Sequence, residues 1–201
     1  MSDGEPLTGE PLALDLVNTR SAGPEGRTAD LIDTPRRLAA WLDLEADRLP
    51  GDFSRTAPSP DDLAAVHAVR AHVEATLRAV TEGNAPPPSA LRALTEAQRL
   101  APVVRELAWD GAAVTAAPRR TGPLGVRLAA HLAESAADLL SDPGIGKVRQ
   151  CEAEDCVLLF LPAHPRRRWC SAARCGNRAR VARYYQRHKS STANSQAGMG
   201  S

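Results

Sequence analysis

Residues 151–178 read CEAEDCVLLFLPAHPRRRWCSAARCGNR, and the four cysteines in this run decide how the chain is organised. Four residues separate Cys151 from Cys156, four separate Cys170 from Cys175, and thirteen lie between the pairs. Two close pairs across a short loop are the layout of a four-thiolate zinc site: each pair wraps one side of a tetrahedron and the intervening segment brings the pairs together. Thiolates are soft ligands that suit tetrahedral zinc, although iron also accepts four sulfurs. Four cysteines close the coordination shell, so the expected ion is one structural Zn2+, not a catalytic one with an open position. His164 is the nearby imidazole that would be the substitute ligand; its plainer reading is a loop histidine.

Outward from the cysteines the charge is lopsided. Residues 147–189 hold 11 Lys and Arg against 3 Asp and Glu, a net of +8, whereas the rest of the chain carries −7. A basic module on an acidic body points to a polyanion partner. Val148 and residues 157–161 read as two strands. The stretch after Cys170 reads as helix, with Val181, Tyr184 and Tyr185 on one side. Arg180, Arg183 and Arg187 fall within about 60° of one another on the opposite side, and Arg166, Arg167 and Arg168 precede the second cysteine pair. Knuckle, hairpin, knuckle, helix is a treble-clef-like order. Core packing is the favoured use of Trp169, Tyr184 and Tyr185, over stacking on RNA bases.

The first 143 residues predict a mainly α body with a short β-hairpin. Aromatic residues are 3% of the chain, so Leu, Val and Ala build the core, and Ala and Leu favour helix. Residues 1–10 read as a loose leader. Residues 11–20, PLALDLVNTR, fit helix or strand equally well. Thr34-Pro35 starts a helix carrying Leu38, Trp41, Leu42 and Leu44. Ser59-Pro60-Asp61-Asp62 starts a long one of about 23 residues. Ser89 caps a third helix, through Leu100. Asp110-Gly111 lies between two apolar runs and marks a hairpin. A further helix runs from Leu124 to Leu139. Asp142-Pro143-Gly144 is the expected boundary, giving domains at 1–143 and 144–189 and a disordered tail at 190–201.

No run of about 18 apolar residues exists, so no transmembrane helix and no membrane partner are expected. The N-terminus MSDGEPLTGE has neither a basic nor an apolar leader region, so a cytoplasmic location is expected. No P-loop, Gly-x-Ser-x-Gly, His-Glu-x-x-His or dinucleotide motif is present, and an enzyme is not expected. His67 and His72 are five apart on one helix, about 140° around it, and do not chelate together; His131 reads as a packed histidine.

Arg167-Arg168-Trp169-Cys170-Ser171 followed by Cys175-Gly176-Asn177-Arg178 resembles the CGNR zinc finger family. Leu14-Asp15-Leu16-Val17-Asn18-Thr19, with Leu38-Ala39-Ala40-Trp41-Leu42 after it, is similar to the ABATE domain that precedes that finger. The resemblance implies a stress-related bacterial transcription regulator whose finger binds DNA. It departs from the family where Pro162-Ala163-His164-Pro165 replaces a polar pair and a longer basic loop. Within the motif, Gly176 permits a tight turn or close backbone approach, Asn177 suits a backbone carbonyl, and Arg178 suits a seat over the thiolates, offsetting their charge. The DNA contacts expected are Arg166, Arg167, Arg168, Arg180, Arg183 and Arg187. Asp15, Asn18 and Arg20 have two readings, a pocket for a small-molecule effector or hydrogen bonding within the body. The alternative to DNA binding is a protein–protein adaptor that uses the zinc module.

Overall fold

The computed structural model describes residues 5–22, 28–51, 53 and 56–185. Its helices are α1 (Leu12–Val17), α2 (Pro35–Leu44), α3 (Pro60–Thr81), α4 (Pro88–Leu100), α5 (Leu124–Ser141) and α6, which covers 177–185. The strands form three antiparallel pairs: β1 (Arg20–Ala22) with β2 (Thr28–Asp30), β3 (Val104–Trp109) with β4 (Val114–Arg119), and β5 (Arg149–Gln150) with β6 (Leu159–Phe160). The protein is mainly helical, with short hairpins and a cysteine-rich C-terminal module, as the sequence predicts. Arg187 and the tail at 190–201 lie outside the described residues.

Residues 11–20 resolve to helix over Leu12–Val17, and all six helical residues are buried. Burial on every side removes the polar face, so no periodicity was available to separate helix from strand. Around α1 the core is closed by Leu38 and Trp41 of α2, Val66, Val73 and Leu77 of α3, and Leu128 and Leu132 of α5, all fully buried. Leu44, expected on the apolar face of α2, is instead 47% exposed at its last turn. Helix α4 starts at Pro88 with Pro87 as its cap, so Ser89 lies inside the first turn and caps nothing. The Asp110-Gly111 hairpin forms with a four-residue loop: only Gly111 takes a positive φ, and the Asp110 carboxylate accepts from the N–H groups of Ala112 and Ala113.

Ser59 and Asp62 close a reciprocal cap on α3, each side chain accepting the other's backbone N–H, at 3.2 and 2.8 Å. The second Asp62 oxygen accepts the Gly125 N–H at 2.5 Å, so one carboxylate caps α3 and α5 together. Burial alone would push the Asp62 pKa up, but the donors from Ser59 and Gly125 outweigh it and hold the group below its ordinary value. A Cβ on Gly125 would lie 2.6 Å from the Asp62 Cα, so only glycine lets the two helices meet there. Gly125→Ala should cost about 2–4 kcal/mol through the forced separation of α3 and α5. Urea titration checks this; a midpoint within error of wild type would mean that the contact yields without cost.

The leader is not loose over its described part. Leu7 packs on the cysteine module, and Glu10 is buried. The N–H groups of Gly9 and Glu10 donate to the Asp15 carboxylate at 2.8 and 3.2 Å.

Candidate metal centre

The β5–β6 hairpin, the turn at 170–176 and the start of α6 bring the four cysteines together. All four are buried, with their sulfurs within 4.8 Å of one another. The Sγ–Sγ separations are 3.9 Å for Cys156–Cys170, 3.5 Å for Cys170–Cys175 and 3.7 Å for Cys156–Cys175. A tetrahedron with Zn–S bonds of about 2.3 Å has edges of about 3.8 Å, whereas a disulfide needs about 2.05 Å. The cluster therefore fits one structural Zn2+ and no disulfide. Hydrogen bonding from Cys170 holds the Cys156 thiol at about 5, despite burial. Burial pushes Cys175 up to about 11, and the Cys156 sulfur pushes Cys170 up. Unmetallated, the sulfurs cannot all ionise side by side; a divalent cation removes that conflict.

The three motif residues after Cys175 surround this cluster. A Cβ on Gly176 would lie 3.1 Å from the Trp169 ring, which marks a close approach at that position. Asn177 donates to the Ala173 carbonyl at 2.9 Å across the turn. Arg178 donates to Cys175 Sγ at 3.6 Å and to the Glu154 carbonyl at 3.3 Å, tying one thiolate to the opposite knuckle.

The basic residues divide into two groups. Arg167 is committed inward: it donates to Glu10 and to the Cys170 and Trp169 carbonyls at 2.5, 2.6 and 3.0 Å, and its guanidinium lies 4.6 Å from the Phe160 ring centroid. The sequence reading of Arg167 as an exposed contact is thereby corrected, because a half-buried guanidinium with four partners is a strut. Arg166, Arg168, Arg180 and Arg183 are exposed. Arg168 pairs with Glu152 at 2.5 Å and stacks over Trp169. Arg168 and Arg183 face a groove of about 320 Å3 that is also lined by Trp169, Arg178, Glu152 and Glu154. Val181, Tyr184 and Tyr185 are 53%, 54% and 67% exposed, so the expectation of core packing does not hold for them.

Asp15, Asn18 and Arg20 do not converge. Asp15 is fully buried, accepting from Gly9, Glu10 and Arg48. Burial, aided by the neighbouring Glu45 charge, raises its pKa to about 7 against the pull of Arg48. Asn18 clamps the module to the body: its amide donates to the Leu159 carbonyl at 2.8 Å and accepts the Leu159 N–H at 2.9 Å. Arg20 is on the surface, paired with Glu74 at 3.2 Å. Glu10, which the sequence reading passed over, accepts from Arg167 and from the Leu161 N–H at 2.9 Å. Its signal was hidden because each of these partners lies more than 150 residues away.

The family model described as a putative stress-induced transcription regulator, ABATE, matches residues 10–143, and the CGNR zinc finger model matches residues 147–188. The chain belongs to the ABATE family and carries a CGNR zinc finger. These are regulator-like and zinc-finger families, not enzyme families. No curated protein matches the chain, and no described helix is long and apolar enough to cross a membrane.

Truncating the arginine that reaches Cys175 tests its role. Arg178→Ala should weaken zinc binding about 10- to 100-fold, measured by competition with a chromogenic chelator. Unchanged affinity would free Arg178 for a role outside the metal site.

Proposed function

We propose that the finger binds duplex DNA and that the helical body holds it in a fixed orientation, the two together acting as a stress-response transcription regulator. The observation that carries this reading is α6, a helix that starts two residues after Cys175 and presents Arg180 and Arg183 to solvent, on a module of net charge +8. A helix fits the major groove, which is about 12 Å wide. Arg166, Arg168, Arg180, Arg183 and Arg187 are the phosphate contacts, which position without specifying sequence. The Asn18 clamp favours a scaffolding role for the body over an effector pocket at Asp15, Asn18 and Arg20.

Fluorescence anisotropy of the zinc-loaded protein on mixed-sequence duplex DNA tests this. About five phosphate contacts give a log–log salt slope near −4 to −5. Arg180→Ala/Arg183→Ala/Arg187→Ala should flatten the slope by about 2 to 3, and chelation should abolish binding. No binding at low salt would sink the reading and move the function to the adaptor alternative, for which exposed Val181, Tyr184 and Tyr185 offer the contact surface.

A further inference from the structure

We propose that the β3–β4 hairpin is a dimerisation arm whose apolar face is covered by a second copy of this chain. The register pairs Leu107 with Ala116, Trp109 with Val114 and Arg105 with Pro118, so these six residues share one face. The opposite face carries the charged pair Glu106 and Arg119, 3.7 Å apart, and Thr115, together with Val104, Ala108 and Ala117. The charges are confined to one end of the second face and Arg105 is the one charge on the first, yet every residue of both strands is exposed. Leu107, Trp109 and Val114 are 72%, 66% and 67% exposed. An isolated two-stranded hairpin is marginal in water unless a face is covered.

The same chain holds a matching recess. Val103 and Leu100, exposed just ahead of the hairpin, lead to a groove of about 330 Å3 between α3, α4 and α5, lined by Leu100 and floored by Ala65, Ala68, Val69 and Ala97. Projection and recess thus form one continuous surface, which a two-fold axis can set against its own copy. Area favours that occupant. Leu100, Val103, Leu107, Trp109 and Val114 expose on the order of 400–500 Å2 of apolar surface, the size of the largest patch on a typical monomer, which is often a functional one. Two such patches, with the groove floors, pass the roughly 1,000 Å2 that a specific interface requires. Charge agrees: Arg105 is the one cation on the hairpin's apolar face, and Glu96 is the one carboxylate lining the groove.

Sedimentation velocity on the full, zinc-loaded chain at micromolar concentration is the test, and it is independent of the DNA reading. The expected species has twice the 21.4 kDa chain mass. Leu107→Glu/Trp109→Glu in the hairpin and Ala97→Glu in the groove should each weaken self-association about tenfold or more. Far-ultraviolet circular dichroism and zinc content of the hairpin variant should stay unchanged, since the hairpin residues support no core; the same readings check that Ala97, half-buried beside the core, accepts its carboxylate. A wild-type chain that remains a monomer overturns the proposal, as does a hairpin variant that remains a dimer. Mixing the two variants leaves one intact hairpin–groove contact per mixed pair and should recover part of the association; no recovery would overturn the reciprocal arrangement.

Discussion

Removing zinc is expected to lower the melting temperature of the helical body as well as unfold the finger. A structural zinc contributes about 10–16 kcal/mol in small fingers at neutral pH, comparable to the whole stability of an ordinary domain at about 5–15 kcal/mol. The module has little else: its core is the four cysteines with Ala153, Leu158 and Phe160. The effect reaches the body because consecutive residues of β6 serve different cores. Leu159 is buried in the body core beside α1, and Phe160 is buried with the cysteines. Val148 also belongs to the body core. Unfolding the finger uncovers two aliphatic side chains, at about 1.5–3 kcal/mol each, and leaves the Asn18 amide without its partners, at about 1–3 kcal/mol. A loss of about 4–9 kcal/mol in a chain of this size lowers Tm by roughly 8–36 °C. Scanning calorimetry with and without a strong chelator measures it, with fluorescence of the fully buried Trp41 as a reporter inside the body. A body transition unmoved by chelation would mean that the two parts fold separately.

The second large effect is expected at Asn18. Asn18→Asp keeps size and shape, but the new carboxylate can only accept, so it meets the Leu159 carbonyl with its charge in a fully buried position. Breaking that bond and burying the charge should cost about 3–5 kcal/mol at neutral pH, roughly 6–20 °C in Tm. Burial raises the pKa of the introduced acid, so the folded state tolerates it best protonated. The gap to wild type should therefore narrow as pH falls from 7 toward 5 and widen as pH rises, the sign linkage requires. Thermal melts at three pH values decide it. An unchanged melt at pH 7 would show that the clamp adds nothing to the joint.

The parts of the fold with local signatures were legible in the sequence. The Ser59–Asp62 cap, the helical spacing of Val66, Val69 and Val73, the Asp-Gly hairpin and the cysteine pairs all announce themselves within a few residues. What stayed hidden is long-range. Nothing near Asn18 or Glu10 marks them as anchors, because their partners lie 141 and more than 150 residues onward. Arg167 sits in a run of three arginines, and only tertiary contact separates the inward strut from its exposed neighbours. Helix α1 lacked a pattern because it lacks a solvent face. The tyrosines of α6 misled for the converse reason: an aromatic side of a helix reads as core until the structure shows more than half of each tyrosine open to solvent.

Glu10 has a consequence for how the molecule can be cut. Its carboxylate grips Arg167 and the Leu161 N–H, while its carbonyl accepts from Arg48, which in turn holds Asp15 and Glu45. The covalent tether at 142–147 joins the two parts, but the rivet between them is at the other end of the chain. Trimming the leader as dispensable would pull that rivet and leave the tether intact. The finger would keep its metal, and its seat on the body would rest on the Asn18–Leu159 clamp and the buried Leu159 and Val148 alone.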